Sequence, residues 1–135
     1  MATKEFDTEK HIKYWTESSD VDYSTMLDLY KTKHYHWSLF IGHLVIEKLA
    51  KAIYVKKNKD HPPFIHDVRR IIEKAGISLT NEQIVICDTI SRFNINARYD
   101  DYKRRFYKLC TKEFATEWLN EIKECRGWIK NMLLE

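Results

Sequence analysis

Three features of the sequence predict an all-α fold, an antiparallel up-and-down bundle of four long helices plus one short helix. Only three glycines and two prolines occur in 135 residues, too few for the closely spaced turns of a β-sandwich or barrel. Apolar residues return at alternating spacings of three and four along extended stretches, the period of an amphipathic helix. One of those stretches is apolar around almost its whole circumference, which a helix tolerates only when other elements enclose it. Short connections between the stretches favour antiparallel neighbours.

The first helix is expected over about residues 8–31, where Ile12, Trp15, Ser19, Asp22, Met26 and Leu29 form one stripe. Two of its members, Ser19 and Asp22, are polar. The second, about 33–57, carries Tyr35, Leu39, Gly42, Ile46, Leu49 and Ile53 on one line, while Trp37, Phe40, Ile41, Leu44, Val45, Ala52 and Val55 cover most of the rest. It should be the central element. Pro62 and Pro63 cannot continue a helix and bias the residue before them towards extended geometry, so the run from Asn58 onward ends it. A short helix from His66 to Ala75 stops at Gly76, the residue favoured just past a helix C-terminus. Thr80 and Gln83 match a capping box, in which two side chains satisfy free backbone donors reciprocally. A helix should therefore run over about 81–97, behind Ile86, Ile90, Phe93 and Ala97. The last, about 112–133, aligns Trp118, Ile122, Cys125, Ile129 and Met132. No repeat, low-complexity run or linker divides the chain, and residues 1–135 are expected to form a single domain.

Composition narrows the function classes. With 44% hydrophobic and 32% charged residues, the chain is neither disordered nor membrane-spanning. The N-terminus, from Met1 to Asp7, shows no apolar core of a secretory signal, and Cys87, Cys110 and Cys125 are an odd set without C-x-x-C spacing, so a reducing cytoplasm is expected. Net charge is only +3, from 23 Lys and Arg against 20 Asp and Glu. That excludes a nucleic-acid binder basic over its whole surface but permits a local basic patch.

Several enzyme signatures are missing. Gly42, Gly76 and Gly127 are isolated, so no Gly-rich phosphate loop exists, and neither zinc-type Cys/His spacing nor a nucleophile elbow appears. Three constellations remain. On the second helix His36, His43 and Glu47 stand at i, i+7 and i+11, near one face. Such a trio can hold a divalent metal, but Glu47 also has Lys51 four residues on, the favourable orientation for a helical ion pair. No metal and no cofactor are expected. Asp22 faces the core side of the first helix, where an ionised carboxylate is costly unless paired; Arg98 or Lys51 should meet it. The third constellation runs from Arg98 to Lys108, with five basic residues interleaved with four aromatics beyond the fourth helix. Cations hold phosphates and exposed rings stack on bases; alternatively the segment is a solvated turn whose tyrosines pack inward, and Asp100 and Asp101 weaken the local charge.

Together these residues resemble the HEPN family, nucleotide- and RNA-associated helical bundles of bacteria and archaea. Trp15 and Asp22 in the first helix, the run Gly42-His-Leu-Val-Ile-Glu47-Lys48-Leu-Ala-Lys51-Ala52, the pair His66-Asp67 at the short helix, and Arg98-Tyr99 after the fourth helix carry the likeness over about residues 8–130. The resemblance implies an antiparallel bundle, frequent homodimerisation, and partnership with a minimal nucleotidyltransferase or with nucleotides and RNA, away from membranes. Many members are metal-independent ribonucleases that use an arginine, four to six intervening residues, and then a histidine. The histidine serves as general acid or base and the arginine stabilises charge on the phosphate. Arg98 matches that arginine, but no histidine follows it anywhere in the chain. Losing a positioned acid/base removes roughly 10²- to 10⁴-fold in rate, so the resemblance implies a degenerate, non-catalytic member. Its ligand-binding residues would be Arg98, Tyr99 and Lys103, with Lys51, Asp22, His66 and Glu47 in support. The rival readings are a ribonuclease in which His66 or His43 folds beside Arg98, and a structural oligomerisation domain.

Overall fold

A computed structural model describes residues 5–135, apart from the side chain of Asp100. The signal-free reading of the N-terminus begins in residues 1–4, outside that range. The described residues form six helices and no strand: α1 (Thr8–Lys31), α2 (Tyr35–Asn58), α3 (Val68–Lys74), α4 (Asn81–Arg98), α5 (Asp100–Leu109) and α6 (Lys112–Leu134). None is long and apolar enough to cross a membrane.

Local chemistry accounts for most boundaries. Asp7, Asp67 and Thr111 each accept a hydrogen bond from the backbone N–H three residues on, at 3.1, 3.2 and 3.2 Å, opening α1, α3 and α6. The Thr80–Gln83 capping box is complete, with both bonds formed at 3.1 and 3.0 Å. Lys59 takes a left-handed conformation (φ 53°) and ends α2 before the prolines are reached. Past α3, Gly76 has φ 84°, its N–H bonds to the Glu73 carbonyl, and Ile77 N–H reaches the Ile72 carbonyl. This is the Schellman closure, in which glycine carries no Cβ penalty.

The four long helices alternate in direction. Ser19 donates to the Val45 carbonyl and Ser38 to the Met26 carbonyl, both at 2.8 Å, so α1 and α2 are antiparallel. Phe93 packs on Phe114 and Trp118, while Cys87 lies beside Cys125, which sets α4 antiparallel to α6. Helix α2 and helix α6 consequently run the same way and still touch closely. A Cβ on Gly42 would lie 2.5 Å from Ile122 Cδ1 and 3.0 Å from Met26 Sδ, so the missing side chain is what lets α1, α2 and α6 meet there.

Helix α2 is central, as its composition predicts: 13 of its 24 residues are buried. Its apolar members join Met26, Ile71, Ile90, Phe93, Ile122 and Ile129 in one core cluster. Each fully buried Ile, Leu or Met contributes about 1.5–3 kcal/mol relative to exposure.

One expectation is corrected. There are two short helices, not one: the segment after Arg98 is helical, as α5, and not a turn. A single residue, Tyr99, with extended dihedrals (φ −99°, ψ 129°), separates it from α4. Phe106 anchors the new helix, 2% exposed and 5.5 Å from the ring of Phe93.

Candidate functional site

The residues singled out in the sequence fall into three groups along α2. At its N-terminal end, α5 and the end of α4 lay cations over aromatic rings. Lys103 Nζ stands 5.3 Å from the centroid of Trp37 and Arg98 Cζ 5.4 Å from that of Phe40. Phe40 follows Trp37 by three residues, so the two cations lie over rings on successive turns of α2. Neither cation enters a salt bridge among the described side chains. Tyr99, Tyr102 and Tyr107 are 60%, 48% and 63% exposed, so the tyrosines face outward. His36, Lys103, Arg104 and Tyr107 line a shallow open groove of about 360 Å³ on this face. Burial, with the neighbouring Lys103 and His34 charges, holds the His36 imidazole below the usual histidine range.

The second group is a buried polar row. His43, Glu47 and Lys51 follow one another at i, i+4 and i+8 on α2, all at most 8% exposed. Lys51 Nζ reaches Glu47 Oε2 at 3.3 Å, the helical ion pair its spacing predicts, and lies 5.2 Å over Trp15. The other oxygen, Oε1, accepts from His66 Nδ1 at 2.8 Å, across from the loop before α3. His43 Nε2 donates to the His66 backbone carbonyl at 3.1 Å and sits 3.4 Å from Glu47 Oε1. Burial keeps the His43 ring below the ordinary histidine range; the His66 carbonyl and the Glu47 charge offset part of this, while the charges of His66 and Arg98 add to it. Two partners for one enclosed carboxylate offset the desolvation that burial imposes.

The trio of His36, His43 and Glu47 does not assemble. His36 stands apart from the other two and packs against Tyr107, centroids 5.1 Å apart. Among the described residues no group of three His, Cys, Asp or Glu side chains is arranged to hold a metal ion.

The third group is Asp22, whose expected partners are corrected. Neither Arg98 nor Lys51 reaches it; Lys48 does, with Nζ 2.6 Å from Oδ2. That oxygen makes no directed hydrogen bond, so the contact acts through charge. Arg98 is committed to Phe40 and Lys51 to Glu47, which leaves Lys48, one turn before Lys51, beside α1.

Beyond Arg98 come Lys103, Arg104 and Arg105 on α5, and no histidine follows in the sequence. His43, on which the Arg98 charge acts, is fully enclosed. A model of the HEPN domain matches residues 12–132. The chain belongs to the HEPN family. No curated relative and no solved structure matches it. HEPN domains are in general helical modules of nucleotide-binding or ribonuclease-like character. In this HEPN domain Arg98 stands at the α4–α5 junction, followed on α5 by Lys103, Arg104 and Arg105. Two members of the surroundings, Trp37 and Phe40, escape sequence reasoning because it assigns them to the buried circumference of α2. The signal that could have found them is their i, i+3 spacing on the side of α2 away from the Leu39–Ile46 line.

Proposed function

We propose that this HEPN domain binds a phosphate-bearing ligand, a nucleotide or RNA, on the face formed by Arg98, Tyr99 and Lys103, and does not cleave it. The observation that carries the reading is the stacking of both cations on aromatic rings of α2 while exposed tyrosines flank them. Each cation–π contact contributes about 0.5–1 kcal/mol at an exposed site, enough to hold the head group in place and leave its outward N–H donors for phosphate. Exposed tyrosines add base stacking that tolerates any sequence. Glu47, Lys51 and Asp22 serve as supports: the first two fix His66 and the middle of α2, and the third ties α1 to Lys48. Homodimerisation, a minimal nucleotidyltransferase partner and a cytoplasmic location go with this reading through the family.

Trp37 lies under Lys103 and makes binding visible. Titrating nucleotides and short RNA should quench or shift tryptophan fluorescence in the native protein, and Arg98→Ala should weaken the response about tenfold, the loss of one charge-assisted contact. An identical response, or none, in both proteins rules the site out.

A ribonuclease reading has one observation in its favour. His66 is tethered through Nδ1 by a carboxylate and its side chain is 54% exposed, the arrangement that orients an imidazole for acid/base work. His43 cannot share that role, being enclosed. RNA incubated with the protein in EDTA should remain intact; cleavage that disappears in His66→Ala would establish the enzyme instead.

A further inference from the structure

Charge sets the groove between the start of α2 and α5 apart. Its described lining is His36, Lys103, Arg104 and Tyr107, around about 360 Å³, with no carboxylate. The larger hollow between α3 and α4, about 530 Å³, sets Arg69, Arg70 and Arg92 against Asp67, Glu73 and Asp88, so its charges balance. Lys103 and Arg104 form no salt bridge among the described side chains, and the Lys103 head group is held 5.3 Å over Trp37. An open groove lined by bases without a carboxylate draws an anion.

Of the described lining, His36 alone has a charge that changes near neutral pH. Its ring is wedged between two others, 5.0 Å from Trp37 and edge-on to Tyr107 at 5.1 Å. Neither ring nitrogen has a hydrogen-bond partner among the described residues, so packing fixes the ring while its nitrogens stay free. Lys103, Arg104 and the Tyr107 phenol face it from α5, and His34 from the α1–α2 connection. Burial, with the Lys103 and His34 charges, keeps the imidazole below its ordinary range, and at neutral pH it is uncharged. No described group in the lining offsets a positive charge on that ring; a bound anion does.

We infer that His36 is the proton-linked contact of this groove: a phosphodiester of a bound RNA strand seats against Lys103 and Arg104, and the His36 imidazole takes up a proton from solvent and donates to it. This rests on the reading that the α5 face binds RNA, and it adds a regulation to that face. The negative charge of the phosphate favours the imidazolium, so the complex carries a proton at a pH where the free protein does not. Lowering the pH through that window favours the complex by linkage. When the strand leaves, the proton returns to solvent.

A short oligouridylate with unphosphorylated ends tests this, because a phosphodiester keeps its charge where a phosphomonoester titrates, at about pH 6. Its binding, followed by tryptophan fluorescence, should tighten about tenfold from about pH 7.5 to about pH 5.5 in the native protein. His36→Gln should give a flat profile, and His34→Gln should keep the rise. Circular dichroism at each pH ensures that folded proteins are compared. In the native protein the NMR signal of the His36 ring should titrate at a higher pH with the oligouridylate bound than without it, a readout that needs no variant. Parallel pH profiles in the native protein and His36→Gln, a rise lost in His34→Gln, or a His36 titration that the strand leaves unmoved would overturn the assignment while leaving RNA binding to the face intact. A strand that binds at neither pH overturns both.

Discussion

At the scale of single residues, Glu47 organises the centre of the molecule by dividing its two oxygens between Lys51 and His66. Half of that arrangement is legible in the sequence. The Lys51 contact is local, fixed by four residues of helical spacing, whereas the His66 contact depends on how the loop before α3 folds back on α2. Asp22 shows the same division. Its need for a cation follows from burial alone, but the choice of Lys48 depends on which turn of α2 faces α1. His43 yields a prediction with a definite sign. Its folded-state value lies below the ordinary histidine value of 6.5, chiefly through burial. Above that pH both folded and unfolded chains hold it neutral; as pH falls, the unfolded chain takes up a proton that the folded one refuses. The stability His43 contributes is thus complete above about 6.5 and is withdrawn at up to about 1.4 kcal/mol per pH unit below it. Melting temperatures from pH 7.5 to 5.5 should fall more steeply in the native protein than in His43→Gln, which keeps a donor for the His66 carbonyl. Parallel profiles would remove His43 from the account.

At the scale of elements, stripes and caps are readable because their causes lie within a few residues. The capping box at Thr80, the stop at Gly76 and the largely apolar, central α2 all stand where the sequence puts them. Helix α5 escapes such a reading although Tyr99, Tyr102, Phe106 and Leu109 recur at helical spacings. Of these only Phe106 is buried. An element held by one anchor, with cations on most of its surface, has a pattern too polar to read as packing. Gly42 reads in the sequence as one member of an apolar line, and its role as the contact point of three helices emerges only from the tertiary arrangement. Gly42→Leu should destabilise by about 1–3 kcal/mol through overpacking against Ile122 and Met26. Gly42→Ala should stay within about 1 kcal/mol of native, because the gain in helix propensity offsets a displacement of the flexible Ile122 tip. Thermal unfolding of the pair checks this, and a neutral leucine would show that α2 and α6 do not meet as described.

At the scale of the whole molecule, a nearly balanced net charge of +3 conceals separation. The face of α5 gathers Lys103, Arg104, Arg105 and Lys108, while Glu82, Glu117, Glu121 and Glu124 cluster across α4 and α6. Burial and those neighbouring carboxylates raise the Glu121 carboxyl above its usual range. The family and the bundle can be read from residues in order along the chain; the position of a ligand cannot, because it depends on which cations are left over once the ion pairs are made. Salt dependence counts those left-over cations. For a single strand, log K falls against log salt with a slope of about −0.7 per phosphate contact. Binding of a short single-stranded RNA, measured from 50 to 200 mM salt (~fourfold in ionic strength), is the most direct test. Arg98→Ala/Lys103→Ala should shallow the slope by about 1.4 and weaken binding at every salt concentration, with the RNA recovered intact. A double variant whose slope and affinity match those of the native protein would contradict the central claim.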